Sequence, residues 1–240
     1  MNIIIAKTYE ELSAKAAEIV INFVRHTSQA VLGLATGTTP LGLYKRLIAD
    51  YRANGTSYKE IRAVNLDEYK GLSQEHEQSY AYFMRKNLFE HLDIDLKNTY
   101  IENGMATDEQ AECKRYNEIL NRFPRDLQLL GLGSNGHIAF NEPGTPFDSM
   151  THVVDLTENT VTDNARLFDN ISEVPRKAFT MGIKQIMQAK QILILASGKN
   201  KAKAVHQTVC GAVTEKVPAS VLQLHPNCIL ILDEEAASKL

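Results

Sequence analysis

The chain has 240 residues, 44% of them hydrophobic, and a formal net charge of -3 at pH 7, enough apolar material for a core without covalent staples. That charge argues against a general nucleic-acid or anionic-membrane surface, which needs a basic face, yet leaves room for an anionic small ligand held by a local cluster of donors. Cys113, Cys210 and Cys228 are scattered with no CxxC spacing, so neither a disulfide framework nor a zinc site is expected.

The N-terminal MNIIIA turns polar too soon for a signal peptide, and no apolar run approaches a membrane span. A cytoplasmic protein is expected. Asn2–Ala6 reads as a first or edge strand. Thr8 and Glu11 have capping-box spacing, and Leu12, Ala16, Ile19 and Phe23 continue as a helical stripe. Ala30–Ala35 (AVLGLA) is a buried strand running into Thr36-Gly37-Thr38-Thr39-Pro40, where Thr39 as N-cap and Pro40 at the first helical position start the helix LGLYKRLIADY. Ile61–Leu66 is a further strand, ending directly in Asp67-Glu68-Tyr69. Ser79 caps a helix with Tyr80, Phe83, Met84 and Leu88 on its inner side, and Thr107–Phe123 is an amphipathic helix.

Leu127, Leu129, Leu130 and Leu132 then form an apolar run that breaks into Gly131, Gly133 and Gly136, followed by His137, Glu142, Pro143 and Pro146. Beyond it lie a short strand at His152–Leu156 and a helix at Thr160–Phe168. A buried strand at Gln191–Ser197, a helix at Gly198–Cys210 and a last strand at Cys228–Leu232 complete the chain. Alternating short strands and helices predict an α/β fold, a single Rossmann-like domain over residues 1–240 built on a mostly parallel sheet with helices on both faces.

Four places can carry chemistry. Gly131-Leu132-Gly133-Ser134-Asn135-Gly136 satisfies GxGxxG after a strand, but IAFNEPGTP comes next where the dinucleotide fingerprint needs a helix; a nicotinamide cofactor is not expected. Thr36–Pro40 is either a plain strand-to-helix turn or an anion pocket of backbone N–H groups and hydroxyls, and in the second case it needs cationic partners, for which Arg166 and Lys201 are candidates. Asp67 is either a turn-forming aspartate or a general base aimed at the crevice beyond the strand ends. His137 either makes a structural hydrogen bond or, with Glu142, moves protons near neutral pH. No ligand spacing supports a metal and no GxSxG elbow a nucleophilic serine.

At GLGSNGHIAFNEPG the sequence resembles the glucosamine-6-phosphate deaminases, also called glucosamine-6-phosphate isomerases. LATGTTPLGLYK, NLDEYKGLSQEHEQSYAYFMRKNLFEHLDI, TDNARLFDNISEVPRKAFTMGIKQIM and SVLQLHPNCILILD extend the resemblance over nearly the whole chain. The sister family of 6-phosphogluconolactonases typically continues its histidine loop as HTASLFP rather than HIAFNEP. The resemblance implies a metal-free isomerisation coupled to deamination, with no cofactor and a sugar phosphate as the partner. It implies Asp67 as the base moving the C2 proton to C1, and His137, assisted by Glu142 and Asn135, as the ring-opening group. Thr36, Gly37, Thr38, Thr39 and Lys201, with Arg166 closing over, would hold the phosphate.

Three departures carry expectations. Asn135 replaces an aspartate found in some members and so orients His137 rather than exchanging a proton with it. Thr38 stands where some members have a second glycine. His152 and Val154 occupy places that are basic in hexameric members activated by an acetylated sugar phosphate, and the chain stops at Leu240, so an enzyme without that control, a monomer or small homo-oligomer, is expected. The alternatives on this fold are a lactonase-like hydrolase and a non-catalytic sugar-phosphate sensor.

Overall fold

The computed structural model describes residues 1–156, 170 and 173–240. In chain order its strands are β1 (Asn2–Ala6), β2 (Val31–Leu34), β3 (Arg62–Asn65), β4 (Asp67–Tyr69), β5 (Thr99–Tyr100), β6 (Leu127–Gly131), β7 (His152–Asp155), β8 (Lys177–Thr180), β9 (Gln191–Ala196) and β10 (Cys228–Asp233). Seven of them form one sheet in the order β1-β10-β9-β6-β2-β3-β5, and each pairing in it is parallel. All four residues of β2 and the first four of β6 are buried, so both faces of the centre are covered, as a parallel sheet demands.

From β2 the chain steps outward through β3 to β5, whereas from β6 it steps the other way through β9 to β10. The direction of winding therefore reverses between β2 and β6. Loops leaving the carboxyl ends of strands on either side of such a reversal diverge and open a crevice. The expected mostly parallel α/β architecture is thus present.

Helix α1 (Tyr9–His26) starts at the Thr8 cap, whose hydroxyl accepts from the Glu11 N–H at 3.2 Å. The return bond of the box goes one residue earlier than expected, from Lys7 N–H to the Glu11 carboxylate at 2.8 Å. Helix α2 (Leu41–Asn54) corrects the capping expectation: Pro40 occupies the cap position and no side chain of its own segment caps the helix. The Gly42 N–H is met instead by the phenol of Tyr9, at 2.8 Å. Helix α3 (Tyr80–Asn87) has the expected Ser79 cap, bonded from Tyr82 N–H at 3.1 Å, and α4 (Glu109–Arg122) begins two residues later than expected because Asp108 caps it. After a 3-10 turn at Lys199–Lys201 comes the helix Ala202–Cys210.

One part of the fold was not foreseen. Asp67 does not close β3; it opens β4, which with β8 and β7 forms a separate antiparallel sheet. A small apolar cluster of Tyr69, Leu72, Phe140 and Ala178 packs against that sheet. The expected helix at Thr160–Phe168 lies outside the described residues, as does Arg166.

Candidate active site

The carboxyl ends of four neighbouring strands, β9, β6, β2 and β3, deliver one segment each to the crevice. Thr36–Thr39 follows β2, Asp67 follows β3, the Gly131–Phe140 loop follows β6, and Lys201 follows β9. A cavity of about 520 Å³ lies between them, and Thr36, Thr39, Asp67, His137 and Lys201 all line it. Asp67 and His137 therefore face one space. Glu142 and Asn135 stand behind the histidine rather than in the cavity wall.

The histidine loop folds around its glycines. A side chain at Gly133 would lie 2.4 Å from the His137 ring, so only glycine leaves room for the imidazole. Gly133 N–H bonds to the His137 carbonyl at 2.9 Å. Farther along, the buried Asn141 donates to the carbonyls of Ile138 and Met181 at 3.0 and 2.9 Å, and Phe140 N–H donates to the Thr180 hydroxyl at 3.2 Å. These bonds tie the loop to β8 and its continuation. No helix opens after Gly136, which confirms that the GxGxxG spacing is not a dinucleotide turn.

The polar chain behind His137 fixes its tautomer. The Asn135 amide donates to Glu142 Oε2 at 2.7 Å, so its carbonyl oxygen faces the histidine. That oxygen, Oδ1, lies 2.7 Å from His137 Nδ1 and also accepts from His137 N–H at 3.2 Å. A carbonyl oxygen can only accept, so Nδ1 carries hydrogen and the neutral ring leaves Nε2 with a free lone pair. Burial lowers the imidazole pKa, the Glu142 carboxylate 3.4 Å from Nδ1 opposes this, and Lys201 adds to the lowering. The ring is thus set as a neutral base at physiological pH.

Asp67 has the opposite electrostatics. It is 7% exposed, and burial, reinforced by the neighbouring Glu68 carboxylate, pushes its pKa up to about 8. Glu68 is itself pushed up to about 7 by burial, although it accepts N–H bonds from Tyr80, Ala81 and Tyr69 at 2.8–2.9 Å. It seats the first turn of α3 beside the cavity. Sequence reading missed this, and also the aromatic wall. Tyr80 stacks on Phe140 at 6.0 Å, and its hydroxyl lies 3.2 Å from that of Tyr69. The sequence signal was the pair Tyr80 and Phe83 on one side of α3, expected to face the core; in the structure both line the cavity.

In the phosphate-type loop the positive φ falls on Gly37, at 91°, and not on Thr38. Thr38 therefore costs nothing in backbone strain where some relatives carry glycine. Burial depresses the Lys201 ammonium pKa, as expected for a cation at a cavity wall that has no ion-pair partner among the described residues. Among the described residues no group of three or more His, Cys, Asp and Glu side chains could hold a metal ion.

A family model described as glucosamine-6-phosphate isomerases/6-phosphogluconolactonase matches residues 6–230. The chain is 53% identical over 239 residues to a glucosamine-6-phosphate deaminase of Geobacillus sp. (strain WCH70), covering 99% of this chain and 95% of that one. It is 51% identical over 241 residues to that of Clostridium novyi (strain NT), covering both in full. A solved structure of a monomeric glucosamine-6-phosphate deaminase superposes with TM-score 0.97 at 47% identity over both whole chains. The 6-phosphogluconolactonase from Trypanosoma brucei shares the fold at TM-score 0.82 and 22% identity, covering 100% of this chain and 98% of that one.

Proposed function

The chain belongs to the family of glucosamine-6-phosphate isomerases and 6-phosphogluconolactonases, and from its likeness to the deaminases of that family we propose that it converts glucosamine 6-phosphate and water to fructose 6-phosphate and ammonia. What carries the reading is the pairing in one cavity of a buried carboxyl, Asp67, with a histidine whose Nε2 lone pair is set free by the Asn135–Glu142 chain.

The substrate is a closed pyranose, and its C2–H is not acidic until the ring opens. His137 Nε2 takes the proton of the anomeric hydroxyl and returns it to the ring oxygen as the C1–O bond to the ring breaks. In the open aldehyde Asp67 removes the C2 proton and delivers it to C1, through an enolamine. The C2 iminium that results adds water and expels ammonia. One base serving two adjacent carbons suits a rigid mount such as a strand start.

With a pKa of about 8, Asp67 is a poor base at neutral pH until the substrate corrects this. A protonated amino group at C2 brings a cation beside the carboxyl and favours its ionised form. Thr36, Gly37, Thr38, Thr39 and Lys201 hold the phosphate, and the resemblance adds Arg166. The phosphate grip, remote from C1 and C2, orients rather than reacts. The monomeric relative at 47% identity supports a monomeric enzyme, and no described helix is long and apolar enough to cross a membrane, which accords with an enzyme working on a cytoplasmic metabolite.

Coupled assays test the reading. Glucosamine 6-phosphate should yield ammonia and fructose 6-phosphate in equal amounts, and 6-phosphogluconolactone should not be hydrolysed. Lactone hydrolysis without ammonia release would overturn it.

A further inference from the structure

We propose that Tyr9, which lies in the first turn of α1 and outside the catalytic cavity, is a positioning residue for the phosphate loop; this rests on the proposed function. Its phenol donates toward the carbonyls of Thr38 and Thr39, at 3.1 and 3.0 Å, and accepts from Gly42 N–H at 2.8 Å. One hydroxyl thus joins the loop's last two carbonyls to the first turn of α2.

The consequence for the cavity comes from peptide geometry. A trans peptide points its C=O and N–H in opposite directions, and the chain has no cis bond among its described residues. With the Thr38 carbonyl held toward Tyr9, the Thr39 N–H faces away from it. Thr38 and Thr39 form a wall between two spaces: Tyr9 lies on an outer cavity of about 610 Å³, and Thr36–Thr39 line the inner one with Lys201 and Asp67. The Thr39 donor is therefore turned inward, where an anion would sit. The same peptide has a longer backbone hold, from Leu41 N–H to the Thr38 carbonyl at 3.3 Å, and no side chain of the segment caps α2. Tyr9 itself is held firmly, because Thr8 caps α1 immediately before it and Arg46 of α2 donates to the Glu10 carbonyl at 3.1 Å.

Tyr9→Phe removes only the hydroxyl. A single neutral hydrogen-bonded anchor implies that KM for glucosamine 6-phosphate rises about three- to tenfold, with kcat unchanged. The inhibition constant of inorganic phosphate rises by the same factor, because the anion alone reads the loop. Ile19→Ala, elsewhere on α1 and packed against the core, serves as the stability control: it lowers the melting temperature and leaves both constants alone. Unchanged KM and phosphate inhibition in Tyr9→Phe, or a change matched by Ile19→Ala, would overturn the assignment. If the wild type releases no ammonia, the functional reading fails separately. Weaker phosphate binding by Tyr9→Phe in calorimetry then still supports the clamp, and equal binding overturns it.

Discussion

At Asp67, the proposed base, two demands collide: a base must be ionised, and a carboxyl buried beside Glu68 resists ionisation. In the folded chain its pKa is about 8, while in the unfolded chain it returns to the ordinary 3.8. A raised carboxyl pKa favours folding only below the unfolded value, and that contribution is lost as pH rises through the folded one. Asp67→Asn should therefore match the wild type in stability near pH 4 and exceed it increasingly up to about pH 8. At about 1.4 kcal/mol per unit the shift sets an upper limit of about 5–6 kcal/mol on the gain, and a higher melting temperature for the variant at pH 8 is expected in thermal melts across pH. Equal or lower melting temperatures for the variant at pH 8 would show that the carboxyl is not strained. That Asp67 would face the crevice was legible as a carboxylate after a strand; its raised pKa was not, because Glu68 and the burial belong to the folded state. Asn135 is the complementary case, since its orienting role stems from an amide's inability to ionise and the hydrogen bonds agree with it.

The histidine loop is the element on which the site turns. Its glycines looked like a nucleotide-binding fingerprint in sequence, and the residues from Ile138 to Pro146 made the distinction. Two prolines and a further glycine there exclude the helix that a pyrophosphate needs, and the structure puts the freed space under an imidazole instead. Gly133→Ala would place a carbon 2.4 Å from that ring. The ring must shift by about an ångström, and displacement of that size in a catalytic group costs about 10²-fold in rate. Steady-state kinetics should show kcat falling by that order while phosphate inhibition is kept; wild-type kcat would contradict the packing. Asn141 went unremarked in the sequence because its partner, Met181, is distant in the chain. The cap on α2 was misassigned to Thr39 for a similar reason, since a tyrosine from α1 replaces it.

Across the whole molecule the parallel sheet was readable, because buried strands appear as short apolar runs such as AVLGLA and QILILA, spaced by helices. Of the antiparallel β4-β8-β7 sheet only β7 was, as the short strand expected at His152–Leu156; β4 and β8 were not, because they are three and four residues long and carry charged and polar positions. That small sheet matters to function: it takes Asp67 out of β3 and pairs it with Thr180, the residue whose hydroxyl holds the histidine loop. Asp67 and the His137 loop, the proposed base and ring-opener, thus share one rigid support on two sides of the crevice. The most direct test tracks the hydrogen at C2. With glucosamine 6-phosphate deuterated at C2, the wild type should pass the label to C1 of the product or to solvent. Asp67→Asn should still bind the phosphate ester and leave the deuterium at C2. Loss of the label at the wild-type rate in that variant would contradict the account.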